Sequence, residues 1–358
     1  MRKRLALLVI LSMVAAACGG DAEEGAKEAK VTKLTLQLAW VTQAQFAGYY
    51  AADELGFYED EGLDVTIRPG SPDIRPTQVL LAGSADLAIE SFGAVLSTRD
   101  QGVDVVSIAQ IFPRAGYRLI SWADENIITP EDFRGKKVGL WNGFNPSFFA
   151  TAAKHGLDID KDVTIVNQSF DMTALLNRDV DLASAQTYNE FAQAIVGCKC
   201  PPSSFRVFDF NQDATSTLED TVLATREWLN DEGNQDAAVR FLGATFKGWI
   251  YCRDNPEKCV DIVVARGTAL PTGFQLWQMN EVNKLIWPSI SGLGNLTRDM
   301  FLQDATIEYT YEVIKKPATE ASFDMTFRDK AVEGFSNEDL FGESFQPLDI
   351  SLEELAGA

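Results

Sequence analysis

Two short stretches of this chain return about a hundred residues later in the same order. Asp64-Val65-Thr66-Ile67 is echoed by Asp162-Val163-Thr164-Ile165, and Ala85-Asp86-Leu87-Ala88 by Val180-Asp181-Leu182-Ala183. The intervening residues read as a helix in both copies, so the repeated unit is strand, helix, strand. Two such units in one chain predict two related lobes.

The rest of the chain keeps that rhythm. Leu34-Thr35-Leu36-Gln37-Leu38 alternates with period two, a helical stretch runs through Phe46-Ala47-Gly48-Tyr49-Tyr50-Ala51-Ala52, and Leu87-Ala88-Ile89 follows a helix that ends near Leu81. This βαβα order implies an α/β protein, each lobe a mostly parallel sheet flanked by helices. Thr129-Pro130-Glu131-Asp132 carries cap, first-turn proline and acids, which predicts a helix start. Arg118 to Trp122 and Thr221 to Thr225 read as extended crossings, which fit a hinge with a cleft between lobes. Beyond the second crossing, Trp228, Phe241, Leu242, Phe246, Trp249 and Ile250 recur at helical spacing and read as core, as do Trp277 and Trp287. The expected division is 33–119 and 222–358 for one lobe with the C-terminal helices, and 120–221 for the other.

The first residues have a different composition. Arg2, Lys3 and Arg4 precede an apolar run from Leu5 to Ala17, too short for a resident membrane span, and Ala15-Ala16-Ala17 lead into Cys18. This resembles the lipobox of bacterial lipoproteins, which implies a signal peptide over 1–17, a lipidated Cys18 and a location outside the cytoplasmic membrane. Residues 18–32 read as a flexible tether. The formal net charge is −21, and it becomes three charges more negative once Arg2, Lys3 and Arg4 are removed. So acidic a surface disfavours nucleic acid and leaves the charge of a ligand open. Cys198, Cys200, Cys252 and Cys259 allow up to two disulfides. Cys252 with Cys259, across the helix break at Asn255-Pro256, is the preferred pair; Cys198 and Cys200 stay open between disulfide and free thiols.

In an open α/β sheet, ligands sit beyond the carboxyl ends of the strands. Four loops meet that condition. They hold Trp40 with the nearby Phe46 and Tyr49; Glu90, Ser91 and Phe92; Trp141, Asn142, Gly143, Phe144 and Asn145; and Gln186, Thr187, Tyr188 and Glu190. Aromatic faces with carboxylates and amides at their edges suit a planar nitrogen-containing ligand. Packing under its own loop is the alternative for each aromatic, and a salt-bridged or solvated state for each carboxylate. Trp40 and Tyr188 are expected on opposite faces of that ligand, with Glu90 or Glu190 at a ring-edge donor. No Gly-rich phosphate loop or cluster of basic residues marks an anion pocket, and no metal or cofactor is expected. His155 reads as a cation ending a helix.

Trp40-Val41, Phe46 to Ala52, Gly56-Phe57-Tyr58, Gly62-Leu63-Asp64-Val65, Gly83-Ser84-Ala85-Asp86, Asp132 to Gly139 and Asn255-Pro256-Glu257 together resemble the ABC-importer solute-binding proteins for thiamine-pyrimidine, sulfonate and nitrate, a family related to the thiamine-pyrimidine synthases. The resemblance implies a type II periplasmic-binding-protein fold, a monomer, a small-molecule ligand and an ABC permease with a cytoplasmic ATPase as partner. Within that family, a thiamine-pyrimidine precursor or flavin-like heterocycle suits the loops better than sulfonate or nitrate. The synthases carry a cofactor-holding lysine and, four residues later, a histidine just after the strand equivalent to Leu87-Ala88-Ile89. Here those positions are Glu90 and Ala94, and Thr215-Ser216-Thr217-Leu218-Glu219 stands where the synthases carry a cysteine cluster. A carboxylate cannot form an aldimine, so binding without turnover is expected.

Overall fold

Asp86 and Asp181, the acids shared by the two echoes, make the same bonds in the folded chain. Asp86 accepts the backbone N–H of Thr35 at 2.7 Å, and its own N–H returns to Thr35 O at 2.9 Å. Asp181 does the same with Lys137, at 2.7 and 2.9 Å. Each acid thereby locks the turn before its strand onto the preceding strand. The computed structural model describes residues 31–141 and 145–357.

The strands are β1 (Thr32–Gln37), β2 (Leu63–Arg68), β3 (Leu87–Glu90), β4 (Val105–Gln110), β5 (Tyr117–Trp122), β6 (Lys136–Trp141), β7 (Val163–Gln168), β8 (Leu182–Gln186), β9 (Phe205–Asp209) and β10 (Thr221–Thr225). They form two five-stranded sheets, ordered β2-β1-β3-β10-β4 and β7-β6-β8-β5-β9. The echoed strands occupy matching places, with Leu36 opposite Leu87 in one sheet and Val138 opposite Leu182 in the other. The antiparallel strands β10 and β5 each enter a sheet from the opposite lobe, and the remaining strands of each sheet run in one direction. The fold is therefore α/β with two sheets flanked by helices, as the repeat requires.

The crossings are the segments 111–116 and 210–220. The expected boundary at 119–120 falls inside β5, and that at 221–222 falls inside β10. These strands read as connectors because they are extended and apolar, yet each is hydrogen-bonded on both sides within a sheet. Among the helical readings, Pro130–Phe133 is only a four-residue 3-10 turn, with Thr129 and Asp132 completing its capping box. β6 begins three residues later, which leaves no length for a full helix.

The long helix Glu232–Asp254 packs against Ala47–Glu54 at a glycine contact. A Cβ on Gly48 would lie 2.2 Å from the Trp249 ring, and one on Gly248 would lie 2.0 Å from Gly48 O. Two glycines thus set the helix separation. The chain then breaks at Asn255-Pro256 and continues as the helix Pro256–Arg266. Cys252 and Cys259 bracket that corner with Cα atoms 5.3 Å apart, and Cys198 and Cys200 form the second pair at 5.2 Å, both bonded as disulfides.

Thr272–Ile286 belongs to both lobes. Met279, Val282, Leu285 and Ile286 enter the core beneath the first sheet. Trp277 and Leu355 enter the cluster around Ile120, Ala183 and Ile195 of the second. The C-terminal region, expected with the first lobe, therefore also covers the second.

Candidate functional site

A cleft of about 620 Å³ opens where the carboxyl ends of the two sheets face each other. From the first sheet come Glu90 and Ser91; from the second come Trp141, Asn145 and Gln186; Thr217 and Glu219 of the second crossing also line it. A smaller recess of about 180 Å³ shares Trp141 and Gln186, and adds Trp40, Phe170, Tyr188 and Glu190.

The aromatic lining is continuous across the lobes. Phe210 stacks on Tyr117 at 4.8 Å, Tyr117 meets Trp141 at 5.3 Å, and Trp141 stacks on Phe170 at 6.1 Å. Phe170 then meets Trp40 edge-on at 5.0 Å, so a residue of the first lobe touches one of the second. Such rings prefer offset or T-shaped contacts. Phe210 and Tyr117 are buried, and Trp141, Phe170 and Trp40 are the three of the run that keep solvent-accessible surface.

Several polar groups on this lining are already committed. Glu90 accepts the Thr77 backbone N–H at 2.9 Å and also the Thr77 hydroxyl. Ser91 Oγ accepts from Ala94 N at 3.3 Å and caps the helix Phe92–Asp100. Asn145 is buried and donates to Trp141 O at 3.2 Å. Glu190 is 3% exposed and accepts from Gln186 N at 3.0 Å and Asn189 Nδ2 at 2.8 Å. Burial pushes its pKa up. Gln186 donates to Glu219 at 3.2 Å. Its Oε1, together with Trp141 Nε1, is buried without a partner among the described residues. Unsatisfied groups of this kind on a cleft wall suit a ligand that supplies a donor and an acceptor.

Three expected contacts lie elsewhere. Phe46 and Tyr49 are fully buried in the first core, where Tyr49 packs edge-on against Trp249 at 5.8 Å. Phe92 is fully buried against Phe301 at 6.2 Å. All three follow strand ends, but the helix that begins there turns them under the sheet. Tyr188 borders the recess yet is 4% exposed and wedged against Gly116, where a Cβ would sit 2.8 Å from its ring. The aromatic facing Trp40 from the second lobe is Phe170 instead. Asn142, Gly143 and Phe144, like Cys18, lie outside the described residues.

Two acids end the second crossing, Glu219 and Asp220, and neither is among the expected contacts. Glu219 accepts the backbone N–H groups of Gly116 (2.9 Å) and Tyr117 (3.2 Å), joining the two crossings. Asp220 accepts from Gln45 at 3.0 Å, and Gln278 bridges Gln43 of the first lobe (3.1 Å) to Asn189 of the second (3.2 Å). Burial raises the pKa of both acids. The signal was present in Leu218-Glu219-Asp220: two acids abutting the apolar strand β10 have to be buried with it.

This two-sheet fold, with its crossings and facing strand ends, is that of the ABC-importer binding proteins. The chain aligns with the periplasmic sulfonate-binding protein of Methylobacillus flagellatus at a TM-score of 0.64 and 15% identity, covering 90% of this chain and 99% of that one. Residues 43–259 match the NMT1/THI5-like family, and the chain belongs to it. A riboflavin-binding protein of Chloroflexus aurantiacus is 24% identical over 64% of this chain and 65% of its own length, so the match leaves about a third of that relative uncovered. A formylaminopyrimidine-binding protein of Halalkalibacterium halodurans is 22% identical over 72% of this chain and 76% of its own.

Proposed function

We propose that this protein is the extracytoplasmic solute-binding subunit of an ABC importer. It captures a small planar nitrogen heterocycle, of thiamine-pyrimidine or flavin type, between its lobes and delivers it to a permease driven by a cytoplasmic ATPase. The observation that carries this reading is the aromatic run from Tyr117 through Trp141 and Phe170 to Trp40, which joins the two lobes beside unpartnered Gln186 and Trp141 polar atoms. Relatives named for riboflavin and formylaminopyrimidine support the heterocycle over sulfonate or nitrate. Glu90 and Ala94 line the cleft at the positions that in the synthases hold lysine and histidine, which supports binding without turnover.

Titrating purified protein with riboflavin, formylaminopyrimidine, an alkanesulfonate and nitrate, while following tryptophan fluorescence, tests the reading. A heterocycle is expected to quench Trp40 and Trp141 on binding. Tight binding of the sulfonate or nitrate with no response to either heterocycle defeats it. Anchoring through Cys18 is part of the same proposal. Intact mass of protein extracted from membranes is expected to show a chain beginning at an acylated Cys18, and Cys18→Ser to lose the adduct.

A further inference from the structure

We propose that the captured ligand carries a positive charge and that Glu308, with Glu90 on the same cleft, receives it; this rests on the cleft being the solute site. Among the described residues, the charged side chains lining the cleft are Glu90, Glu219, Glu308 and one base, Arg75, which is exposed. Glu219 already accepts from two backbone N–H groups and from Gln186. Glu90 uses one oxygen, Oε2, for both bonds from Thr77.

Glu308 is different. It is 3% exposed, reaches the cleft from the helix Arg298–Thr310, and its Oε2 has no partner among the described residues. Its other oxygen lies where a side chain at position 93 would project, 2.3 Å from a Cβ on Gly93, so the glycine makes its space. One turn earlier, Asp304 is 1% exposed; its Oδ2 accepts from Leu218 N and its Oδ1 is unpartnered.

Arg75 is an exposed base on the cleft rim, and on the helix that carries Glu308 itself Arg298 pairs with Glu320. On the helix Phe92–Asp100, Arg99 pairs with Asp104, and Asp100 accepts from the backbone of Lys315 and Lys316. On Pro146–Lys154, Lys154 pairs with Asp213. Two buried acids four residues apart on one helix repel each other, and an ionised carboxylate without a counter-charge is costly to bury. In the empty cleft they hold a proton instead. Burial raises Asp304 to about 7 against the lowering hydrogen bond from Leu218, and burial together with the Asp304 charge raises Glu308 to about 8. An ammonium or amidinium group supplies the missing counter-charge and displaces that proton. A sulfonate meets repulsion at the same place.

The test uses thiamine, a permanent cation bearing an aminopyrimidine; its uncharged hydroxymethyl aminopyrimidine half; choline, a cation without an aromatic ring; and an alkanesulfonate. Calorimetry in buffers of differing ionisation enthalpy counts protons released on binding. Thiamine is expected to bind about tenfold or more tightly than the neutral pyrimidine, with affinity rising with pH through the range 7–8 and proton release on binding. Glu308→Gln is expected to abolish both the preference and the pH slope. Glu90→Gln, and the wild-type pH profile by itself, keep the test decisive if that variant does not fold. Neutral pyrimidine binding as tightly as thiamine without proton release overturns the charge inference and leaves the heterocycle reading standing. Choline binding with proton release while both ring compounds fail does the reverse. Failure of both cations overturns the charge inference, and tight binding of the sulfonate in their place overturns both.

Discussion

Trp40 and Phe46 lie six residues apart and differ in what they do. Trp40 reaches across to Phe170 at the cleft, whereas Phe46 is sealed in the first core. Trp40→Ala is expected to weaken ligand binding about tenfold, since one aromatic contact contributes about 1 kcal/mol beyond its buried area. Its effect on the melting temperature is expected to be small. Phe46→Ala is expected to cost about 3–5 kcal/mol of stability while leaving the affinity of the remaining folded molecules intact. Titration and thermal unfolding of both variants separate the two roles. The sequence distinguishes them poorly, because both are aromatics just beyond the same strand. Phe170 and Tyr117 escaped notice for a related reason: one sits in a loop after an edge strand, the other at the start of a strand that reads only as a connector.

At the scale of elements, the echo was the most legible feature, since one hydrogen-bonded acid defines the same turn in each sheet. The alternation read from Leu34 to Leu38 holds for the buried Leu34, Leu36 and Leu38 and the half-buried Thr35 but not for Gln37, which is buried. It is sharper at the edge strand β2, where Leu63 and Val65 are buried and Asp64 and Thr66 exposed, and absent from β4, which is buried throughout. The glycine contact between helices left no sequence signal, as glycine marks turns more often than tight crossings. Gly248→Ala puts a methyl group onto the Gly48 carbonyl and is expected to destabilise by about 1–3 kcal/mol, read from the urea midpoint. His155 does end its helix, and it binds Glu131 at 3.0 Å and Asp213 at 2.9 Å. These carboxylates raise its pKa above the usual histidine value of 6.5. The stability it adds is therefore complete below pH 6.5 and disappears as pH rises through the raised value. Urea midpoints of the wild type and His155→Ala are expected to differ at pH 6 and to converge in mildly alkaline buffer.

For the whole molecule, the helix Thr272–Ile286 adds a third link to the two crossings: its Trp277 donates to Thr187 O at 3.0 Å and packs on Phe191 at 6.1 Å. Trp277→Ala is expected to speed ligand release and to enlarge the unliganded molecule in small-angle scattering, with little change in the rate of capture. An unchanged release rate argues that the third link carries no load. A body hung from two ribbons can twist as well as bend; a third support, off their line, resists the twist. If the lobes close as proposed, the motion resembles a door on its pins more than a hand grasping. Few loose postures have to be given up when the ligand arrives, so more of each contact's energy goes to telling one solute from another.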